Sequence, residues 1–126
     1  MSLEEEISKV TELKHVGLAL LQYVQSLVEG TEFQAHERRW VARPHNFVTF
    51  EVHWQRARNI TISLRGNPSE FIQFSELPLK GGMAGYSECK VTSTNQLRAA
   101  SSYIARAAEL YKRGSRRIQK KPVVLE

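Results

Sequence analysis

The period of the apolar residues changes from helical to strand-like at Gly30, and that change limits the fold more than any other feature. Before it, Ile7, Val10, Leu13, Leu20, Leu21, Val24, Leu27 and Val28 fall at helical spacing, the stripe of an amphipathic helix. The reading is one long helix over residues 3–29. Ser2 is its N-cap, Glu4, Glu5 and Glu6 sit in the first turn where the helix dipole favours them, and Gly30 is the stop. Gly17 lies on the apolar face, which implies close approach of another backbone.

After Gly30 the spacing becomes two. In residues 46–54, Val48, Phe50, Val52 and Trp54 share one side and Thr49, Glu51 and His53 the other. In residues 59–65, Ile60, Ile62 and Leu64 alternate with Thr61, Ser63 and Arg65. Both are half-buried strands, β-branched and aromatic as strands prefer. The polar stretch 55–58 is short enough to join them as a hairpin. Residues 37–42 form an earlier strand, ended by Pro44 because proline cannot donate to an interior ladder. Residues 66–85 are punctuated by Gly66, Pro68, Pro78, Gly81, Gly82 and Gly85 and read as an ordered loop with one short strand. A closing strand spans 86–92.

Ser93 or Thr94 then caps a final helix, Ser93 and Gln96 having capping-box spacing. Leu97, Ala100, Ile104, Ala107, Ala108 and Tyr111 are its core stripe, and Gly114 ends it. The fold class is therefore α+β: a long N-terminal helix, an antiparallel sheet of about four to five strands, a C-terminal helix packed on the sheet, and a basic tail. Residues 1–113 form a single domain and 114–126 the tail. Val48, Phe50, Val52, Ile60, Ile62 and Leu64 are expected on one sheet face under both helices.

Charge is distributed unevenly. Residues 1–111 hold 12 Lys and Arg against 12 Glu, so the formal +5 resides in Lys112, Arg113, Arg116, Arg117, Lys120 and Lys121. Clustered cations on a neutral body suit a polyanion, because binding releases condensed counterions; they also suit a solvated end. A second set, Arg38, Arg39, Arg43, Arg56, Arg58 and Arg65, lies in the hairpin region with Trp40, Phe47 and Trp54 between its members. Guanidinium groups contact phosphate bidentately, and proteins that hold single strands interleave aromatics with cations. The competing reading places Trp54 in the core stripe and pairs the arginines with Glu37, Glu51 or acids of the helices.

Catalytic signatures are missing. All 13 acids are Glu, whereas many metal, phosphoryl-transfer and triad sites use Asp. His15, His36, His45 and His53, with Cys89, show no metal-ligand spacing, although His53 and Glu51 project to one side of a strand. The cluster Gly81, Gly82 and Gly85 precedes a strand rather than the helix that a phosphate cradle needs. No catalytic residue, metal site or cofactor is expected. A single cysteine and an acidic start fit a cytoplasmic chain, and no apolar run is long enough for a membrane span.

The order of features resembles the small uncharacterised domain found at the end of "predicted transport proteins", similar in turn to the MmcQ/YjbR-like (double-wing) group. The likeness covers about residues 30–112. It is carried by Asn46, Phe47 and Val48 opening a strand, by residues 60–68 leading into a Pro-containing loop, by Gly82, Gly85 and Tyr86 to Val91, and by a Ser/Thr-capped helix ending at Tyr111. The resemblance implies the fold and, by analogy with proposals for double-wing members, DNA binding. The loop 66–85 lacks the acidic pair expected before the closing strand.

These readings favour a non-enzymatic module that contacts nucleic acid non-specifically through the arginine-rich hairpin and the tail. The alternatives are a protein-interaction or homodimerising module, and a Glu/His-dependent enzyme.

Overall fold

The N-terminal stripe folds as two helices rather than one. In the computed structural model, which describes the backbone of residues 1–125 and the side chains of residues 1–114, α1 spans Leu3–Lys9 and α2 spans Lys14–Leu27. Val10 leaves helical geometry at φ −95°, ψ 80°, and a 3₁₀ turn, Thr11–Leu13, joins the two. The reason lies in Val16, an apolar residue outside the stripe. Ile7 and Val16 are nine residues apart, so on one straight helix they point about 180° from each other. Both are buried, and only a break lets one core receive both. Ser2 caps α1 reciprocally: its hydroxyl accepts the Glu5 N–H at 3.1 Å, and the Glu5 carboxylate accepts the Ser2 N–H at 3.0 Å.

Six antiparallel strands follow: β1 (Glu32–His36), β2 (Arg39–Arg43), β3 (Val48–His53), β4 (Asn59–Arg65), β5 (Lys80–Gly81) and β6 (Tyr86–Val91), in the spatial order β1-β2-β3-β4-β6-β5. The expected strand at 37–42 is instead a hairpin, β1 and β2 joined by Glu37 and Arg38. Glu37 sits at φ +58°, a left-handed conformation usually left to Gly, Asn or Asp. The turn carries none of those residues, so sequence patterning could not announce it. The 59–65 strand and the 55–58 turn fall where the alternation placed them.

Register aligns the core rows. Phe50 opposes Ile62, which opposes Cys89; Val52 opposes Ile60, which opposes Val91. Directly paired residues share a face, and Val48, Phe50, Val52, Ile60, Ile62 and Leu64 are all buried in the core that α1, α2 and α3 cover. Helix α3 (Leu97–Leu125) runs through Gly114, where the sequence suggested a stop. It enters by the Ser93–Gln96 capping box and buries Ala99, Ala100, Tyr103, Ile104, Ala107 and Ala108 against the sheet.

Gly17 is a contact point for side chains rather than for another backbone. A Cβ there would lie 2.5 Å from Ile7 Cγ2 and 2.9 Å from Ile60 Cδ1, so α1, α2 and β4 meet at this residue. The Pro- and Gly-rich loop is held by Tyr103, whose hydroxyl accepts the Phe74 N–H at 2.8 Å and donates to the Leu77 carbonyl at 2.7 Å. Those bonds satisfy loop groups that would otherwise be buried without partners.

Candidate nucleic-acid interface

Strands β2 and β3 pair at Trp40 with Phe50 and at Val41 with Thr49. Beyond Trp40 they part. The β1–β2 tip and residues 51–57 then stand as two walls of an open cleft of about 600 Å³. Ala35, Glu37, Arg38, Arg39 and Trp40 line one wall; Glu51, Val52, His53, Trp54, Gln55, Arg56 and Ala57 line the other, and Glu6 of α1 contributes from the helix layer. The length of the β1–β2 hairpin creates this arrangement, because its tip extends past the last pair it makes with β3.

Both tryptophans of the chain are in the cleft, each half-buried. Trp40 donates its indole N–H to Glu6 Oε2 at 3.1 Å, which fixes the ring plane. Lys9 Nζ lies 4.5 Å from the Trp54 ring centroid, a cation–π contact. Among the described residues, Arg38, Arg39 and Arg56 make no ion pair. Two of the three cleft carboxylates are occupied, Glu6 by the indole and Glu51 by His53 at 3.4 Å. The third, Glu37, stands on the strained turn. Arg39 reaches over the uncovered face of the sheet, its Nη1 3.9 Å from Met83 Sδ in the β5–β6 turn.

The remaining sequence candidates are placed elsewhere. Arg58 donates to both Glu12 oxygens at 2.7 and 2.8 Å, to the Trp54 carbonyl at 2.7 Å and to the Lys9 carbonyl at 3.2 Å. These four hydrogen bonds tie the β3–β4 turn to the α1–α2 junction. The same hydrogen bonds hold the Glu12 carboxyl down at about 2. Arg43 and Arg65 end β2 and β4 at the far end of the sheet from the cleft; Arg65 stacks 5.4 Å from the Tyr111 ring centroid, and Tyr111 Oη is 3.3 Å from His45 Nδ1. Lys112 and Arg113 are exposed on α3, Arg113 reaching Glu109 at 3.2 Å. The side chains of Arg116, Arg117, Lys120 and Lys121 lie outside the described residues.

Sequence reasoning thus found Arg38, Arg39, Arg56, Trp40 and Trp54, but not Glu6, Lys9 or Glu12. Glu6 and Lys9 belong to α1 and Glu12 to the 3₁₀ turn that follows it, and no local pattern connects them with a hairpin more than thirty residues away.

Among the described residues no three His, Cys, Asp or Glu side chains converge on a point that could hold a metal ion. Cys89 is buried, and burial pushes its thiol up to about 12, far from the thiolate a nucleophile needs. No described helix is long and apolar enough to cross a membrane. Neither protein-family models, curated proteins nor solved structures give a match to this chain.

Proposed function

We propose that this protein is a non-enzymatic module that binds single-stranded nucleic acid without sequence preference. The observation that carries the reading is the convergence, in one open cleft, of both tryptophans with three arginines that make no ion pair among the described residues. Aromatic rings in such a groove stack on unpaired bases of any identity, while guanidinium groups neutralise the phosphates between them. Duplex bases are already stacked on each other, so a stacking cleft favours single strands. The basic run that starts at Lys112 adds phosphate contacts without base readout. Membership of the double-wing group is the relationship we propose from the order of elements.

Fluorescence anisotropy of a labelled oligo(dT) across a salt series tests the reading. Each phosphate neutralised on a single strand contributes about −0.7 to the log–log salt slope. The three cleft arginines therefore account for about −2. Replacing Arg38, Arg39 and Arg56 together by Ala should weaken binding and flatten the slope by that amount, with the melting temperature retained. No binding at about 50 mM salt, where such contacts are strong, overturns the proposal. The alternative, a module that pairs with protein, is favoured by a separate observation on the sheet edge.

A further inference from the structure

We propose that the free edge of β1 is a self-complementary pairing surface, through which two copies of this chain join their sheets antiparallel about Gln34.

The two edges of the sheet are treated differently. On one side the sheet ends in β5, two residues long and bearing Lys80, which pairs with Glu88 across the ladder at 3.4 Å. Short length and an edge lysine are the ordinary ways of preventing edge-to-edge pairing. On the other side β1 runs five residues in unbroken one-to-one register with β2, from Glu32 opposite Arg43 to His36 opposite Arg39. It contains no proline, no lysine and no bulge, and apart from half-buried Phe33 its residues are exposed. Such a strand presents unpaired main-chain groups to solvent.

The hairpin determines which groups those are. A two-residue turn closes on a hydrogen-bonded pair, here His36 with Arg39, and such pairs alternate along an antiparallel ladder. Gln34 and Glu32 therefore direct their N–H and C=O groups inward to β2, and Phe33 and Ala35 direct theirs outward. A two-fold axis at Gln34 sets Phe33 of one copy against Ala35 of the other, twice, which forms about four main-chain hydrogen bonds from the outward groups.

The same register matches the side chains. Glu32 of each copy lies opposite His36 of the other, giving two acid–imidazole pairs on the uncovered face. On the helix face, the large Phe33, which packs on Phe50 at 5.2 Å between ring centroids, meets the small Ala35. Shifting the axis to Phe33 or Ala35 separates Glu32 from His36 and breaks the large–small match by setting Phe33 against Phe33 or Ala35 against Ala35. The two-fold runs perpendicular to the sheet, so the helices of both copies lie on one side. Five residues a side make a small interface, so the association is expected to be weak and reversible.

Sedimentation equilibrium of the full chain over a wide dilution series tests this. The weight-average mass should rise from 14.4 kDa towards twice that value as concentration increases. Ala35→Pro removes an outward N–H without touching the β1–β2 ladder and should abolish the rise. Glu32→Lys opposes two cation–imidazole pairs and should weaken the dimer roughly tenfold, and adding His36→Glu should restore it. If Ala35→Pro does not fold, the Glu32→Lys and Glu32→Lys/His36→Glu comparison decides alone. A mass fixed at 14.4 kDa at every concentration, or a dimer indifferent to Ala35→Pro and Glu32→Lys, overturns the proposal.

Discussion

Replacing Gly17 by Ala inserts one methyl at the junction of α1, α2 and β4. Helix propensity alone favours the change by about 1 kcal/mol. The new carbon would stand 2.5 Å from Ile7 Cγ2 and 2.9 Å from Ile60 Cδ1, both well inside van der Waals contact. The Ile60 methyl is a chain end and can rotate away, but Ile7 Cγ2 is fixed on a β-branched carbon with one preferred rotamer. Overpacking of this kind costs about 1–3 kcal/mol, so Gly17→Ala should be net destabilising by up to about 2 kcal/mol. Ile7→Leu removes Cγ2 and, by itself, costs under about 1.5 kcal/mol. If the clash is the cause, the double variant is more stable than the sum of the singles predicts, with a coupling of about 0.5–2 kcal/mol. Urea titrations of the four proteins, compared at constant m, give the cycle directly. A stabilised Gly17→Ala, or strict additivity with Ile7→Leu, refutes the claim that α1 packs on α2 at this residue.

Phe50 is fully buried at the centre of the sheet, and Phe50→Ala should lower stability by about 3–5 kcal/mol in the same titration. Glu37→Gly relieves the positive φ of the β1–β2 turn and should stabilise the protein by up to about 1 kcal/mol, read as a rise in melting temperature. Glu12 is held at about 2 in the folded state against an ordinary 4.5. A depressed folded value stabilises above the unfolded pKa and is lost as pH falls through the folded one. The Glu12–Arg58 contribution should therefore be intact above about pH 4.5 and disappear by about pH 2; Arg58→Ala should remove that segment from a plot of urea midpoint against pH.

Alternation of Val48, Phe50, Val52, Ile60, Ile62 and Leu64 announced the central hairpin because a period of two has one physical meaning when one face is buried. The helix stripe was legible as helix but not as two helices, since residue spacing records which positions are apolar and not whether a straight axis can bury them all. Angular bookkeeping between Ile7 and Val16 contains the answer. The β1–β2 turn was silent because Glu37 and Arg38 carry no turn chemistry, and the fold imposes φ +58° on Glu37. The arginine cluster was visible in composition, yet sequence could not divide it. Arg58 is committed to Glu12, Arg43 and Arg65 to the opposite end of the sheet, and among the described residues only Arg38, Arg39 and Arg56 share the cleft. The Arg58 assignment depends on Glu12, a partner more than thirty residues away in the chain.

Because Trp40 and Trp54 are the only tryptophans and both line the cleft, fluorescence of the unlabelled protein excited at the red edge, where tyrosine does not absorb, reports on that site. Titration with oligo(dT) at low salt should quench it progressively to a plateau, as bases stack on the indoles. The quench should reverse on raising the salt and should fall sharply in the Arg38→Ala/Arg39→Ala/Arg56→Ala variant. Fluorescence that stays constant while a labelled strand is demonstrably bound would place nucleic acid elsewhere on the molecule and contradict the account.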